Sequence, residues 1–264
     1  MNQYISSITP LSFACLENRT KIINKLIDLG ANVNKSGLSG MTPLPAACYY
    51  EYIDLAVLEL LLKHKACVDK RMFDGSTPLL VASLRQNREA VNILLNSSAD
   101  FNIGFYDSPT IKDGMKKMFR SITDEEEAKF WDLVMDYLPC SCVGQVKQIA
   151  NLLIYTISRA TPLHLTCLGM DMGFSKDLLD RNPDINIRKE DGSTPLFVAC
   201  ELGYVAVATL LLEHDADQYI SKNDGTSPLD IARQNKFAEI VKLLEGTKRK
   251  STRIANRRKR KKCS

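Results

Sequence analysis

The chain has 264 residues, 45% of them apolar and 25% charged, with 35 Lys+Arg against 31 Asp+Glu. This is the composition of a folded globular protein and excludes a disordered one; no apolar run approaches the ~18 residues of a membrane-spanning helix. The net charge of +4 hides an asymmetry: residues 247–264 carry ten basic side chains and no acidic one, whereas residues 1–246 carry 25 basic against 31 acidic, a net of −6.

The first ten residues, MNQYISSITP, have neither the basic region nor the apolar core of a secretory signal. An intracellular chain is expected, with its eight cysteines as free thiols. From Thr9 onward one pattern recurs. Thr-Pro-Leu, once Ser-Pro-Leu, starts at Thr9, Thr42, Thr77, Thr161, Thr194 and Ser227, at intervals of 33, 35, 84, 33 and 33 residues. Thr can cap a helix and Pro is tolerated at its first position, so each tripeptide predicts a helix start. The Thr194 repeat predicts a first helix near Leu196–Leu202 and a second over Val205–Glu213. Each second helix ends where the chain favours a left-handed residue. Gly30 supplies it once; Lys65, Ser98, Asn182 and Asp215 stand there in other repeats, and a side chain costs up to ~1 kcal/mol in that conformation. Asp-Gly turns at Asp74, Asp191 and Asp224 precede the next Thr/Ser-Pro. One such helix pair cannot bury its apolar face alone, and stacking solves that.

The 84-residue interval equals one 33-residue repeat plus 51 residues. Within it, Thr123 and Glu126 match a capping box, followed by an apolar stripe from Phe130 to Leu138 and then Pro139. A second helix is predicted from Gly144 to Ile157. Residues 110–160 are therefore expected to form a degenerate fourth repeat with an added basic segment, Lys112–Arg120.

The 33-residue spacing, the TPLHL sequence at Thr161–Leu165 and the Asp-Gly turns resemble an ankyrin-repeat protein over roughly residues 9–246. The resemblance implies an all-α solenoid of about seven helix-turn-helix repeats over residues 1–246, the last a truncated cap, with residues 247–264 as a disordered basic tail. It also implies partner binding through hairpin tips and first-helix faces. By register these include Tyr49, Tyr50, Arg71, Phe73, Tyr106, Arg188, Glu190 and Asn223, with Leu84, Arg85, Glu201 and Leu202 beside them. The Tyr49–Tyr52 stretch holds two extra residues between its helices, and tyrosines there suit an interface.

Catalysis and metal binding find little footing. The three histidines, His64, His164 and His214, sit at repeat positions; in TPLH the resemblance gives His164 a structural hydrogen-bonding role. No nucleophile elbow, phosphate loop or metalloprotease motif is present. Cys15, Cys48, Cys167 and Cys200 each lie six residues after a repeat Thr, a packing position whose neighbours in stacked repeats are ~10 Å apart, too far for a shared zinc. Cys140 and Cys142 have no second pair at metal spacing. No catalytic residue, metal or cofactor is expected.

In the tail, Arg257, Arg258, Lys259, Arg260, Lys261 and Lys262 resemble a nuclear-localisation signal that an acidic importin groove would bind. Nucleic-acid phosphates are a second partner class for it and an anionic membrane surface a third. The sequence reading is therefore a non-enzymatic adaptor or scaffold for a protein partner, in nucleus and cytoplasm. A ubiquitin-ligase substrate receptor and a nucleic-acid-associated regulator are the alternatives.

Overall fold

Every Thr/Ser-Pro start opens a helix, and the hydrogen bonds show why. Thr9, Thr77 and Thr194 hold extended backbone, and their hydroxyls accept from the N–H groups of Ser12, Leu80 and Phe197. Ser227 and Asp230 cap each other reciprocally. Thr42 opens its helix without a side-chain cap bond. The computed structural model from which these bonds are read describes residues 8–37, 40–49, 54–107, 110, 158–167 and 172–246.

All regular structure among the described residues is helical. The helices come in pairs. The first pairs are α1 (Pro10–Leu16) with α2 (Thr20–Asp28), α3 (Pro43–Cys48) with α4 (Leu55–Lys63), and α5 (Pro78–Leu84) with α6 (Arg88–Asn96). Then follow α7 (Pro162–Thr166) with α8 (Met172–Leu179), α9 (Pro195–Leu202) with α10 (Val205–Glu213), and α11 (Pro228–Gln234) with α12 (238–246).

The chain divides into two compact bodies, residues 1–165 and 166–264. In the first, α1 packs on α2 and α3, α3 on α4 and α5, and α6 on both α4 and α5. In the second, α9 packs on α10 and α11, and α8 on α10. The repeat leucines fill these contacts: Leu44, Leu58, Leu61, Leu79, Leu80 and Leu94 are fully buried in the first body, Leu178 and Leu211 in the second. Each is worth about 1.5–3 kcal/mol relative to exposure.

The second helices end as their register requires. Gly30, Lys65, Ser98, Asn182 and Asp215 all take left-handed backbone, with φ of 79°, 63°, 66°, 54° and 66°. Four side chains therefore occupy a conformation that glycine adopts at no steric cost.

The hairpin tips carry a result that the repeat intervals did not reveal. In a regular tip the N–H five residues before the Thr donates to the carbonyl one residue before it, as in Met72→Ser76, Lys189→Ser193 and Lys222→Thr226, each at 2.9 Å. The Thr161 tip makes the same bond from a distant piece of chain: Phe105 N–H donates to the Ala160 carbonyl at 3.0 Å, and Arg159 N–H to the Tyr106 carbonyl at 3.2 Å. Arg159 is left-handed, φ 58°, at the turn position held by Gly75 and Gly192. On the helix side, Gln86 Nε2 donates to the Leu165 carbonyl at 3.3 Å.

The 51 extra residues therefore enter at a hairpin tip. This differs from the expected stack, in which a repeat at 110–160 would stand between the Thr77 and Thr161 repeats. The two halves of the tip find each other because it is closed by backbone bonds, which do not require the strands to be continuous in sequence. The helices predicted at 123–138 and 144–157 lie outside the described residues.

Candidate functional site

The tips form a ladder in which polar side chains are spent on the neighbouring tip. Arg188 donates through Nε to the Gly192 carbonyl at 3.0 Å, and through Nη2 to the Ser221 carbonyl at 3.0 Å and Asn223 Oδ1 at 3.1 Å. Asn223 Nδ2 returns a bond to the Glu190 carbonyl at 2.8 Å. Between these tips the backbone pairs once, Asn223 N–H to the Asp191 carbonyl at 2.9 Å. In the first body Arg71 does the same work. Its Nη2 donates to the Gly104 carbonyl at 3.2 Å, and its guanidinium lies 4.7 Å from the Tyr106 ring centre. Arg71, Tyr106, Arg188 and Asn223 are thus drawn together in pairs, as tip-to-tip cement. Phe73 and Glu190 are half-buried beside them.

Two equivalent aspartates in these tips titrate in opposite directions. Around Asp191, burial pushes its pKa upward, but bonds from the Ser193 hydroxyl and N–H, the charge of Lys189 and an ion pair to Lys222 outweigh it and hold the carboxyl at about 2. The Lys222–Asp191 distance is 3.1 Å. Around Asp74, burial dominates over the Ser76 bonds and raises the pKa. The reason is one register position. Five residues before the repeat Thr/Ser stand Lys189 and Lys222 in the second body; the corresponding residues around Asp74 are Met72 and Phe105.

Because the folded pKa of Asp191 is depressed, its stabilisation is present above the ordinary aspartate value of ~4 and is lost as pH falls toward 2. Urea unfolding between pH 5 and 2 should therefore show a smaller acid loss for Lys222→Met than for the parent chain. Equal slopes would contradict this role for Lys222.

The first-helix ends present a different surface. Arg85 lies with its guanidinium 4.6 Å from the Tyr49 ring centre, and the adjoining Leu84 is 48% exposed. Leu202 is also exposed, and Glu201 accepts a bond from Asn235 through its carbonyl at 2.9 Å. Tyr50 lies outside the described residues, as do Arg257–Lys262.

The residues considered for chemistry have structural roles. Thr161 N–H donates to His164 Nδ1 at 3.2 Å, and the Thr161 hydroxyl lies 2.9 Å from the same nitrogen. His164 is buried, so it ties down the start of α7. Cys15, Cys167 and Cys200 are buried, and burial pushes each thiol up to about 12; it pushes Cys48 up as well. Thiols so hard to ionise are poor nucleophiles and poor ligands. Among the described residues no group of three His, Cys, Asp or Glu could hold a metal ion, and no helix is long and apolar enough to cross a membrane. Cys140 and Cys142 lie outside the described residues.

The sequence profile described as ankyrin repeats (3 copies) matches residues 11–104, 140–221 and 163–252. The chain belongs to the ankyrin-repeat family. Ankyrin repeats are protein–protein interaction modules and are generally non-catalytic. The chain is similar to human "Neurogenic locus notch homolog protein 4", 35% identical over 92 residues, which is 35% of this chain and 4% of that protein. It is also similar to "Neurogenic locus notch homolog protein 1" of Xenopus laevis, 34% identical over 95 residues, 36% of this chain and 4% of that protein. "Tyrosine-protein kinase HTK16" of Hydra vulgaris is 30% identical over 110 residues, 41% of this chain and 14% of that protein. The chain thus spans a small part of these relatives' length. Among solved structures, a chain from "Bd0816 Predatory Endopeptidase from Bdellovibrio bacteriovorus in complex with immunity protein Bd3460" matches with TM-score 0.66 and 18% identity, covering 91% of this chain and 98% of that one. That likeness speaks to the fold alone.

Proposed function

We propose that the ankyrin repeats of this chain recognise a protein partner through the first-helix ends and tips of the first body, as an adaptor or scaffold. The observation that carries this reading is the Tyr49–Arg85 stack beside exposed Leu84. A tyrosine ring already fixed by a guanidinium loses little rotamer freedom on binding, and aromatic and Arg side chains carry much of the energy at interfaces. Tyr50, Phe73, Tyr106, Arg188, Glu190 and Asn223 belong to the same proposed surface by register. The engaged tip groups would supply its shape, and the first-helix ends its apolar contact.

The test is affinity purification with the full chain, identification of the partner, and titration of that partner against a Tyr49→Ala/Leu84→Ala/Arg85→Ala variant. A loss of tenfold or more is expected, since hot-spot truncations cost ≥2 kcal/mol. Unchanged affinity would remove the patch from the interface.

The tail has its own reading. Ten basic side chains in residues 247–264 suit an acidic receptor groove of the importin kind, and we propose nuclear import as the tail's role. A fluorescent fusion should lose nuclear enrichment when residues 247–264 are removed. Retained enrichment would reject import, and steeply salt-dependent RNA binding by the tail would favour nucleic acid instead.

A further inference from the structure

We propose that the outer face of the first repeat, formed by Phe13, Ile22, Leu26 and Leu29, is a self-association surface on which a second copy of the chain packs its own α2 in antiparallel orientation.

The exposure pattern points there. Phe13 is 37% exposed, Ile22 53% and Leu29 72%. Four residues after each repeat Thr, the position of Phe13, stand Ala46, Val81, Leu165 and Val198, all buried. At the position of Ile22 stand Val57 (allowing for the two extra residues there), Ala90, Val207 and Ile240, again buried. At that of half-buried Leu26 stand Leu61, Leu94, Leu211 and Leu244, buried as well. These are stacking positions, and in the first repeat they open to solvent.

The opposite terminal repeat is finished differently. Where Ser12 and Cys15 are buried in the first repeat, the last carries exposed Asp230 and Arg233. Asp230 completes a capping box, and Arg233 pairs with Glu245 at 2.8 Å. That is the polar outer face a terminal repeat needs for solubility. The first repeat has apolar side chains on its outer face instead.

Leu29 selects the occupant. A preceding repeat would cover the stacking positions, but the register position of Leu29 holds His64, Ser97, Arg181 and His214 elsewhere, all polar. Stacking therefore needs no leucine there. A helix laid along α2 does, because Ile22, Leu26 and Leu29 follow the i, i+4, i+7 spacing of one stripe. In an antiparallel pair of α2 helices with Leu26 near the two-fold axis, Ile22 of one copy meets Leu29 of the other. The same register sets Lys25 opposite Asp28 on the flank, so an isologous pair is complementary in charge as well as apolar. The end face of one helix pair is smaller than a standard interface, so association in the micromolar range is expected.

The test is the mass of the full chain by sedimentation equilibrium from ~1 to ~200 µM, a range that brackets the expected affinity. A monomer–dimer equilibrium is expected. Ile22→Asp with Leu29→Asp should abolish it while leaving the far-UV circular dichroism unchanged. Lys25→Asp and Asp28→Lys should each weaken association several-fold, and the two together should restore it. A chain monomeric throughout the range, a dimer indifferent to these variants, or open-ended larger assemblies would each overturn the proposal.

Discussion

Phe197→Ala should destabilise the second body by about 3–5 kcal/mol, the usual cost of deleting a buried phenyl ring. Phe197 is fully buried at the first turn of α9, and its N–H donates to the Thr194 hydroxyl at 3.2 Å. Above its ring, 5.2 Å from the centre, sits the Lys222 ammonium, which also pairs with Asp191. Truncation thus opens a cavity and removes the surface that positions Lys222 against Asp191. Two consequences follow together. The urea midpoint of the second body should fall, and the acid-sensitive stabilisation by Asp191 should shrink. A Phe197→Leu variant keeps most of the volume and should lose less. Destabilisation under 1 kcal/mol, measured by urea unfolding, would contradict the packing described here.

Deleting residues 108–158, so that Asp107 joins Arg159, should leave a folded, cooperatively unfolding chain. The junction reads Phe105-Tyr106-Asp107-Arg159-Ala160-Thr161-Pro162, in the same spacing as Met72-Phe73-Asp74-Gly75-Ser76-Thr77-Pro78. The bonds Phe105→Ala160 and Arg159→Tyr106 already close that tip. Gly104 supports the closure, since a Cβ at that position would stand 2.7 Å from the Arg159 carbonyl oxygen. Arg159→Gly in the shortened chain should add a further few tenths to ~1 kcal/mol by relieving its left-handed backbone. Thermal unfolding followed by circular dichroism decides the matter. A midpoint within a few degrees of the parent is expected. A fall of more than ~10 °C, or loss of cooperativity, would mean that the removed residues carry a packed face of the stack.

Much of the architecture was legible without coordinates because its signals are local. A capping Thr, a Pro at the first helical position and an aliphatic run at helical spacing act within one turn of chain, and they predicted α9 and α10 to within a residue of where they lie. The left-handed ends at Lys65, Ser98, Asn182 and Asp215 were readable for the same reason: backbone sterics belong to the residue and its register, whatever packs around it.

The candidate surface was readable only in part. Register placed Arg71, Arg188 and Asn223 at the tips, but it could not show that they bind the next tip, because those bonds join residues 33 to 35 positions apart.

By itself, then, the sequence determined the repeat, its caps, its strained helix ends and the separation of a mildly acidic body from a basic tail. Each of these is set by nearest neighbours or by simple counting. Only the tertiary structure decided where the 51 extra residues enter, since a hairpin tip is closed by backbone hydrogen bonds that do not depend on continuity of the chain. Only it separated Asp74 from Asp191, two residues with the same local sequence, Asp-Gly-Ser-Thr-Pro-Leu. A carboxyl's pKa reports burial and the charges facing it from the adjacent tip, and a local motif cannot specify those.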